Sequence, residues 1–167
     1  VGVGVSGARP TLHLGVLVQP YRAWELITGK NGRKRRKQGA IRPVTTADVA
    51  ERLEENYGIM ETFARQDVHG KDIVRVVENS LESALKSLVG GGPAVPPWSD
   101  GMREIESAFR DFIDSREAER VIPNAPTRAA LMGVNHRLAH PYRKSNARRP
   151  SFRDTGLYLR SFRAWMD

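Results

Sequence analysis

His136 and His140 stand four residues apart, the spacing that sets two imidazoles on one face of a helix, as zinc-binding helices do. The residue after His136 is Arg137 instead of the glutamate of a hydrolytic zinc helix, and the sequence offers no third or fourth ligand. Arg143, Lys144, Arg148 and Arg149 crowd the same stretch with positive charge, which opposes a cation. Surface or packing roles are therefore expected for both histidines, with no functional metal and no cofactor. Ser83 and Lys86 fit S-x-x-K, but they fall in an ordinary amphipathic stretch without a companion motif. Gly2-Val3-Gly4-Val5-Ser6-Gly7 matches G-x-G-x-x-G; a dinucleotide site would need a strand before it and a helix directly after it, and Ala8-Arg9-Pro10 leads into a strand. Glu51, Glu54 and Glu55, like Glu104 and Glu106, fall on polar helix faces where solvated charge is the normal state. With every catalytic constellation failing, the chain is expected to bind and assemble, not to act as an enzyme.

The basic run is different in kind. Lys30, Arg33, Lys34, Arg35, Arg36 and Lys37 lie within eight positions and have almost nothing to bury. Such charges can engage phosphates, with strongly salt-dependent binding, and no aromatic residue is interleaved to stack on bases. Sequence-independent contact with a nucleic-acid backbone, contact with an acidic protein, and a solvated loop all fit.

The elements that must position these residues follow from periodicity. Val1, Val3 and Val5, then Leu12, Leu14, Val16 and Val18, alternate as half-buried strands do, which predicts an N-terminal hairpin whose second strand ends at Pro20. An excursion over about 21–44, centred on the basic run, reads as an arm, a loop or a hairpin tip. Thr45 or Thr46 with Asp48 caps a helix running to about Gln66, in which Gly58 marks a bend. Ile73, Val77, Leu81, Ala84, Leu85 and Leu88 make the apolar face of a second helix, ended by Gly90-Gly91-Gly92 and the prolines after it. Ser99 or Asp100 caps a third, to about Ala118, with Ile105, Phe109, Phe112 and Ile113 inward; Ala130, Leu131, Val134 and Leu138 make a fourth that stops before Pro141. Asp154-Thr155-Gly156 signals a turn before a helical turn and a terminal strand that returns to the N-terminal sheet.

These elements predict one α+β domain over 1–167: a small antiparallel sheet packed against a pair of amphipathic helices, with two further helices and a long basic arm. At 167 residues the chain can bury a core without staples, and it contains no cysteine, so disulfides and thiolate chemistry are excluded. No apolar run approaches the roughly 20 residues of a membrane span, and the N-terminus lacks a signal-peptide pattern; a soluble, intracellularly folded protein is expected. The formal charge of +8 is concentrated in Lys30 to Arg42 and Arg137 to Arg163, with a middle of mixed sign between them.

The C-terminal segments Pro126-Thr127-Arg128-Ala129-Ala130-Leu131-Met132-Gly133-Val134, Arg149-Pro150-Ser151-Phe152-Arg153-Asp154-Thr155-Gly156-Leu157-Tyr158 and Ser161-Phe162-Arg163-Ala164-Trp165 resemble the ending of neck and tail-completion proteins of tailed bacteriophages. There an Arg-Pro-Phe-like stretch and an Asp-Thr-Gly turn precede a terminal strand, and the preceding helix pair is similar in layout. The match covers about a quarter of the chain. The resemblance implies a virion structural subunit, assembled as a ring around the DNA channel at the head-to-tail connection, with itself and neighbouring neck, portal-side or tail proteins as partners. Arg149, Phe152, Asp154, Gly156, Tyr158, Arg160, Phe162, Arg163 and Trp165 are then expected at the subunit interface, where aromatics and arginines concentrate, with simple core packing the other reading of Phe152, Tyr158, Phe162 and Trp165. The run from Lys30 to Lys37 lies outside the resemblance, and DNA in the channel or an acidic surface would give it a partner. A free nucleic-acid-binding protein is the alternative.

Overall fold

The structure is a computed structural model that describes residues 11–28, 34–92, 98–136, 138 and 140–166. Val1, Val3 and Val5 and the glycine motif lie outside the described residues. The fold is α+β, with seven helices and two antiparallel strand pairs among the described residues.

Strand β1 (Leu12–Val16) pairs with β4 (Phe162–Met166), so the terminal strand does return to the N-terminal one. In this register Leu14 faces Ala164 and Val16 faces Phe162, while His13 and Trp165 are opposed and stack on one another at 5.4 Å. Period two thus sends Ala164 and Phe162 into the core and leaves Trp165 46% exposed. Pro20 opens a strand instead of ending one: β2 (Pro20–Thr28) pairs with β3 (Lys34–Thr45) as a second two-stranded sheet.

Thr45 then turns the chain into α1 (Thr46–Tyr57) through a capping box. Its hydroxyl accepts the Asp48 N–H at 3.3 Å, and the Asp48 carboxylate accepts the Thr45 N–H at 2.7 Å. Thr46, fully buried, donates to the Leu17 carbonyl and accepts from the Gln19 N–H, which ties the end of β1 to the start of α1.

The single helix expected over 46–66 is two. Gly58 takes a left-handed conformation at φ 55°, and α2 (Ile59–Arg65) restarts after it. Gly58 has no side chain to cap α2. Glu54 does it from the preceding helix, its carboxylate accepting the Met60 and Glu61 N–H groups at 2.8 and 2.9 Å.

Helix α3 (Asp67–Val89) packs on α2 and on α4 (Ser99–Asp114). The elements on the β1–β4 sheet are α4 against β4 and α1 against β1, so α3 lies a layer further out than the helix pair expected over the sheet. Helix α4 ends at Asp114, and its N-cap position is Trp98 without a side-chain cap; Ser99 and Asp100 are its first residues. Its apolar stripe is the centre of the molecule. Phe109 stacks on Phe162 at 3.9 Å and meets Phe63 edge-on at 5.3 Å, with Ile105, Phe112 and Ile113 buried beside them. Burying side chains of this size contributes about 1.5–3 kcal/mol each.

Beyond α5 (Ala118–Val121) the expected helix over Ala130 to Leu138 is one turn, α6 (Arg128–Leu131), capped by the Thr127 hydroxyl. Gly133 stops it: its φ is 65°, and a side chain there would strike the carbonyls of Asn146 and Ala147. Among the described residues no regular helix or strand follows until Gly156, φ 79°, which opens α7 (Leu157–Ser161).

Candidate functional site

Two basic regions and one helix face are candidates, and the structure treats them differently. Lys34, Arg35, Arg36 and Lys37 lie in β3 opposite Thr28, Ile27, Leu26 and Glu25; Lys30 and Arg33 lie outside the described residues. A hairpin strand of nine residues reaches about 30 Å. Its contacts with the rest of the molecule gather at its base, where β3 meets α1. Tyr21 is at that base, with its pKa raised by burial and by the nearby Asp154 carboxylate. Residues 20–45 hold eight cations against one carboxylate, nearly the whole net charge of the protein.

The C-terminal segment holds eleven cations against four carboxylates over 115–167, and Arg148, Arg149, Arg153 and Arg163 bind groups of the same chain. Arg149 donates to the carbonyls of Val134, Pro150 at 3.1 Å and Arg153 at 2.7 Å, locking the irregular chain to itself. Burial lowers the pKa of its guanidinium, and Asp154 opposes that shift. Arg148 pairs with Glu119, Arg153 with Asp114 at 2.9 Å, and Arg163 lies 3.7 Å from Glu106.

Glu119 also accepts the Ser151 N–H and hydroxyl, both at 2.8 Å, and Ser151 accepts the Thr127 N–H at 3.0 Å. Burial pushes the Glu119 carboxyl up; the two Ser151 hydrogen bonds and Arg148 outweigh it, so its pKa is lowered.

Of the residues expected at a subunit interface, Phe162 is 0% and Tyr158 3% exposed. This corrects their assignment: both are core residues of the monomer and have no surface to offer a partner. Burial pushes the Tyr158 hydroxyl up, and it has no hydrogen-bond partner among the described residues. Phe152 is half-buried edge-on to Tyr57 at 5.0 Å. Arg160 and Trp165 do face outward, Trp165 lying across Gly15. In the Asp-Thr-Gly turn, Asp154 accepts the His136 N–H at 2.9 Å and Thr155 accepts the Leu157 N–H at 3.3 Å.

His136 and His140 share no helix face. His136 instead places Nδ1 2.6 Å from Asp154 and Nε2 2.9 Å from the Tyr142 hydroxyl. His136 and Asp154 are 18 positions apart, so spacing held no signal of this contact. It is a relay-like geometry on an open surface, with Tyr142 72% exposed. No group of three or more metal-ligating side chains draws together among the described residues. Ser83 and Lys86 sit on the exposed side of α3, Lys86 paired with Glu82 at 2.6 Å.

The face expected on α3 is inward at its N-terminal end, where Ile73 and Val77 pack against the core, and exposed towards its C-terminal end. Val74, Leu81, Leu85 and Leu88, three of them expected inward, are exposed, and it is Val76 that enters the core. Gly101 of α4 fits against Val76 and Ser80, so α3 runs about two turns past the start of its partner. Residues 46–114 carry fourteen carboxylates against seven cations, so the helical layer is mixed in sign with an acidic balance. That imbalance was countable in the sequence. Among the described residues no helix is long and apolar enough to cross a membrane.

No family of known proteins, no curated protein and no solved structure matches this chain.

Proposed function

We propose that the protein is a structural subunit of a tailed bacteriophage virion, a head-to-tail connector or tail-completion component that assembles as a ring around the DNA channel. The observation that supports this reading is the exposed apolar row Leu81, Leu85 and Leu88 on α3, beside a two-stranded β2–β3 hairpin whose main contact outside its own pair is with α1. The C-terminal resemblance supplies the assembly. Arg160 and Trp165 are the exposed members of the expected interface, and Arg149, Phe152, Asp154, Gly156 and Arg163 are partly accessible.

The test is to measure the mass of the purified protein in solution and to image it by electron microscopy. Closed rings support the reading; a monomer at every concentration, absent from purified particles, overturns it. The second reading, a nucleic-acid-binding protein, is favoured by the cations of β3. It requires duplex DNA binding that falls steeply as salt rises, without self-association.

A further inference from the structure

The irregular C-terminal segment brings His136, Tyr142 and Asp154 together. Asp154 holds His136 twice: one carboxylate oxygen accepts the backbone N–H at 2.9 Å, and the other lies 2.6 Å from the ring Nδ1. An ionised carboxylate has no hydrogen to give, so in the neutral ring Nδ1 carries the proton and Nε2 is left as an acceptor. Nε2 lies 2.9 Å from the Tyr142 hydroxyl, which donates to it. A hydroxyl bonded to a base that a third group orients is the arrangement that activates a nucleophile.

The loop that presents Tyr142 is closed on itself. The Asn135 N–H donates to the Pro141 carbonyl at 3.1 Å, and the Asn146 amide donates to the His140 and Pro141 carbonyls, both at 2.9 Å. Tyr142 meets the His136 ring edge-on at 5.5 Å and is still 72% exposed, so a large substrate can reach its oxygen. Arg143 and Lys144 follow it directly, both exposed and without a side-chain partner among the described residues.

We propose that Tyr142 is a nucleophile toward phosphodiesters, with His136 as its general base and Asp154 as the positioning residue for His136. The Tyr142 oxygen attacks phosphorus while its proton passes to Nε2, and Asp154 holds the imidazolium that forms. The P–O bond to one sugar oxygen breaks on the far side of phosphorus. That oxygen leaves with a proton from solvent, and the imidazolium returns one to solvent. One phosphodiester is exchanged for another, now between Tyr142 and the remaining nucleotide, so the step consumes no co-reactant. The two free cations beside Tyr142 decide the substrate class: they suit the doubly charged transition state of a phosphodiester, where a carboxylic ester would develop a single charge. This activity goes beyond a structural role and does not rest on the ring.

The experiment uses the full chain and the p-nitrophenyl ester of thymidine 5′-phosphate, a phosphodiester whose departing p-nitrophenolate is coloured. Wild type should release about one equivalent per chain and then stop, and peptide mass spectrometry should find the thymidylyl group on Tyr142. Tyr142→Phe, which removes one exposed hydroxyl, should release none. His136→Ala should slow the release about a hundredfold, and added imidazole should restore much of the rate, a rescue that a merely structural histidine does not show. Circular dichroism verifies that both variants keep the wild-type helix content.

A wild type that releases no p-nitrophenolate, release that persists in Tyr142→Phe, or a His136→Ala variant as fast as wild type overturns the assignment. So does a Tyr142 adduct formed from p-nitrophenyl acetate and not from the phosphodiester, which would make the substrate an acyl ester.

Discussion

The hairpin over 20–45 and the C-terminal segment over 115–167 carry the same excess of positive charge on different backbones, one a strand pair and the other largely irregular. In the C-terminal segment the arginines are fasteners. Arg149 holds three backbone carbonyls, Arg148 and Arg153 pair with Glu119 and Asp114, and the irregular chain between α6 and α7 becomes a defined surface. In the hairpin the cations sit on a strand whose nearest neighbours are its own partner strand. A count of charges cannot separate these cases. What separates them is the backbone that carries them, a paired strand in the hairpin and an irregular segment pinned by its own arginines at the C-terminus.

Disturbing the fastened segment should have the largest consequence. Gly133→Ala should destabilise the protein by about 3–5 kcal/mol, since a positive φ and a collision with the Asn146 and Ala147 carbonyls act together. Thermal or urea unfolding measures it, and a loss below about 1 kcal/mol would mean the loop yields freely. Gly156→Val should cost less, about 1–3 kcal/mol, because a side chain there meets only open space and the penalty is the strained φ alone.

Next comes Arg149→Met, which keeps the stem and removes the donors. Leaving its carbonyls to water or to nothing should cost about 2–3 kcal/mol by the same unfolding measurement.

Glu119 extends the contrast to pH. Its carboxyl is held below the usual glutamate value in the folded state, so the stability it contributes is complete above that usual value and is lost as pH falls through the lowered one. Glu119→Gln should cost about 1–2 kcal/mol at neutral pH, and its stability should fall less than the wild type's on acidification below about pH 4. Parallel acid profiles for the two proteins would show that the Ser151 contacts carry no charge dependence.

The hairpin should respond least. Changing Lys34, Arg35, Arg36 and Lys37 to Ser should shift the unfolding free energy by less than about 0.5 kcal/mol per site, as surface substitutions do. A larger loss would make these cations fasteners too and dissolve the distinction.

Much of the fold was legible because local rules agreed with the tertiary structure. The Thr45–Asp48 capping box, the break at Gly58, the inward stripe of α4 and the return of the terminal strand to β1 each follow from residue type and period. The failures have a common physical source. A stripe such as Leu81, Leu85 and Leu88 says that a helix has an apolar face, and nothing local says which neighbour covers it. Likewise Tyr158 and Phe162, set among arginines, look like interface residues until the strand register turns Phe162 onto Phe109.

Arg149 and Glu119 were illegible for a different reason. Arg149 reaches a carbonyl 15 positions away and Glu119 a serine 32 positions away, groups brought near only when the irregular segment folds back on α5 and α6. The short α6 belongs with them: Ala130 to Leu138 has a helical pattern, and Gly133 is required by the carbonyls packed against it.

Whether this chain forms a ring at the junction of head and tail is tested most directly by electron microscopy of intact particles from a phage encoding it. A closed ring of this subunit around the DNA channel at the junction is expected, with separate heads and tails when the subunit is absent. Normal infectious particles without the protein, or its location away from the junction, would contradict that assignment.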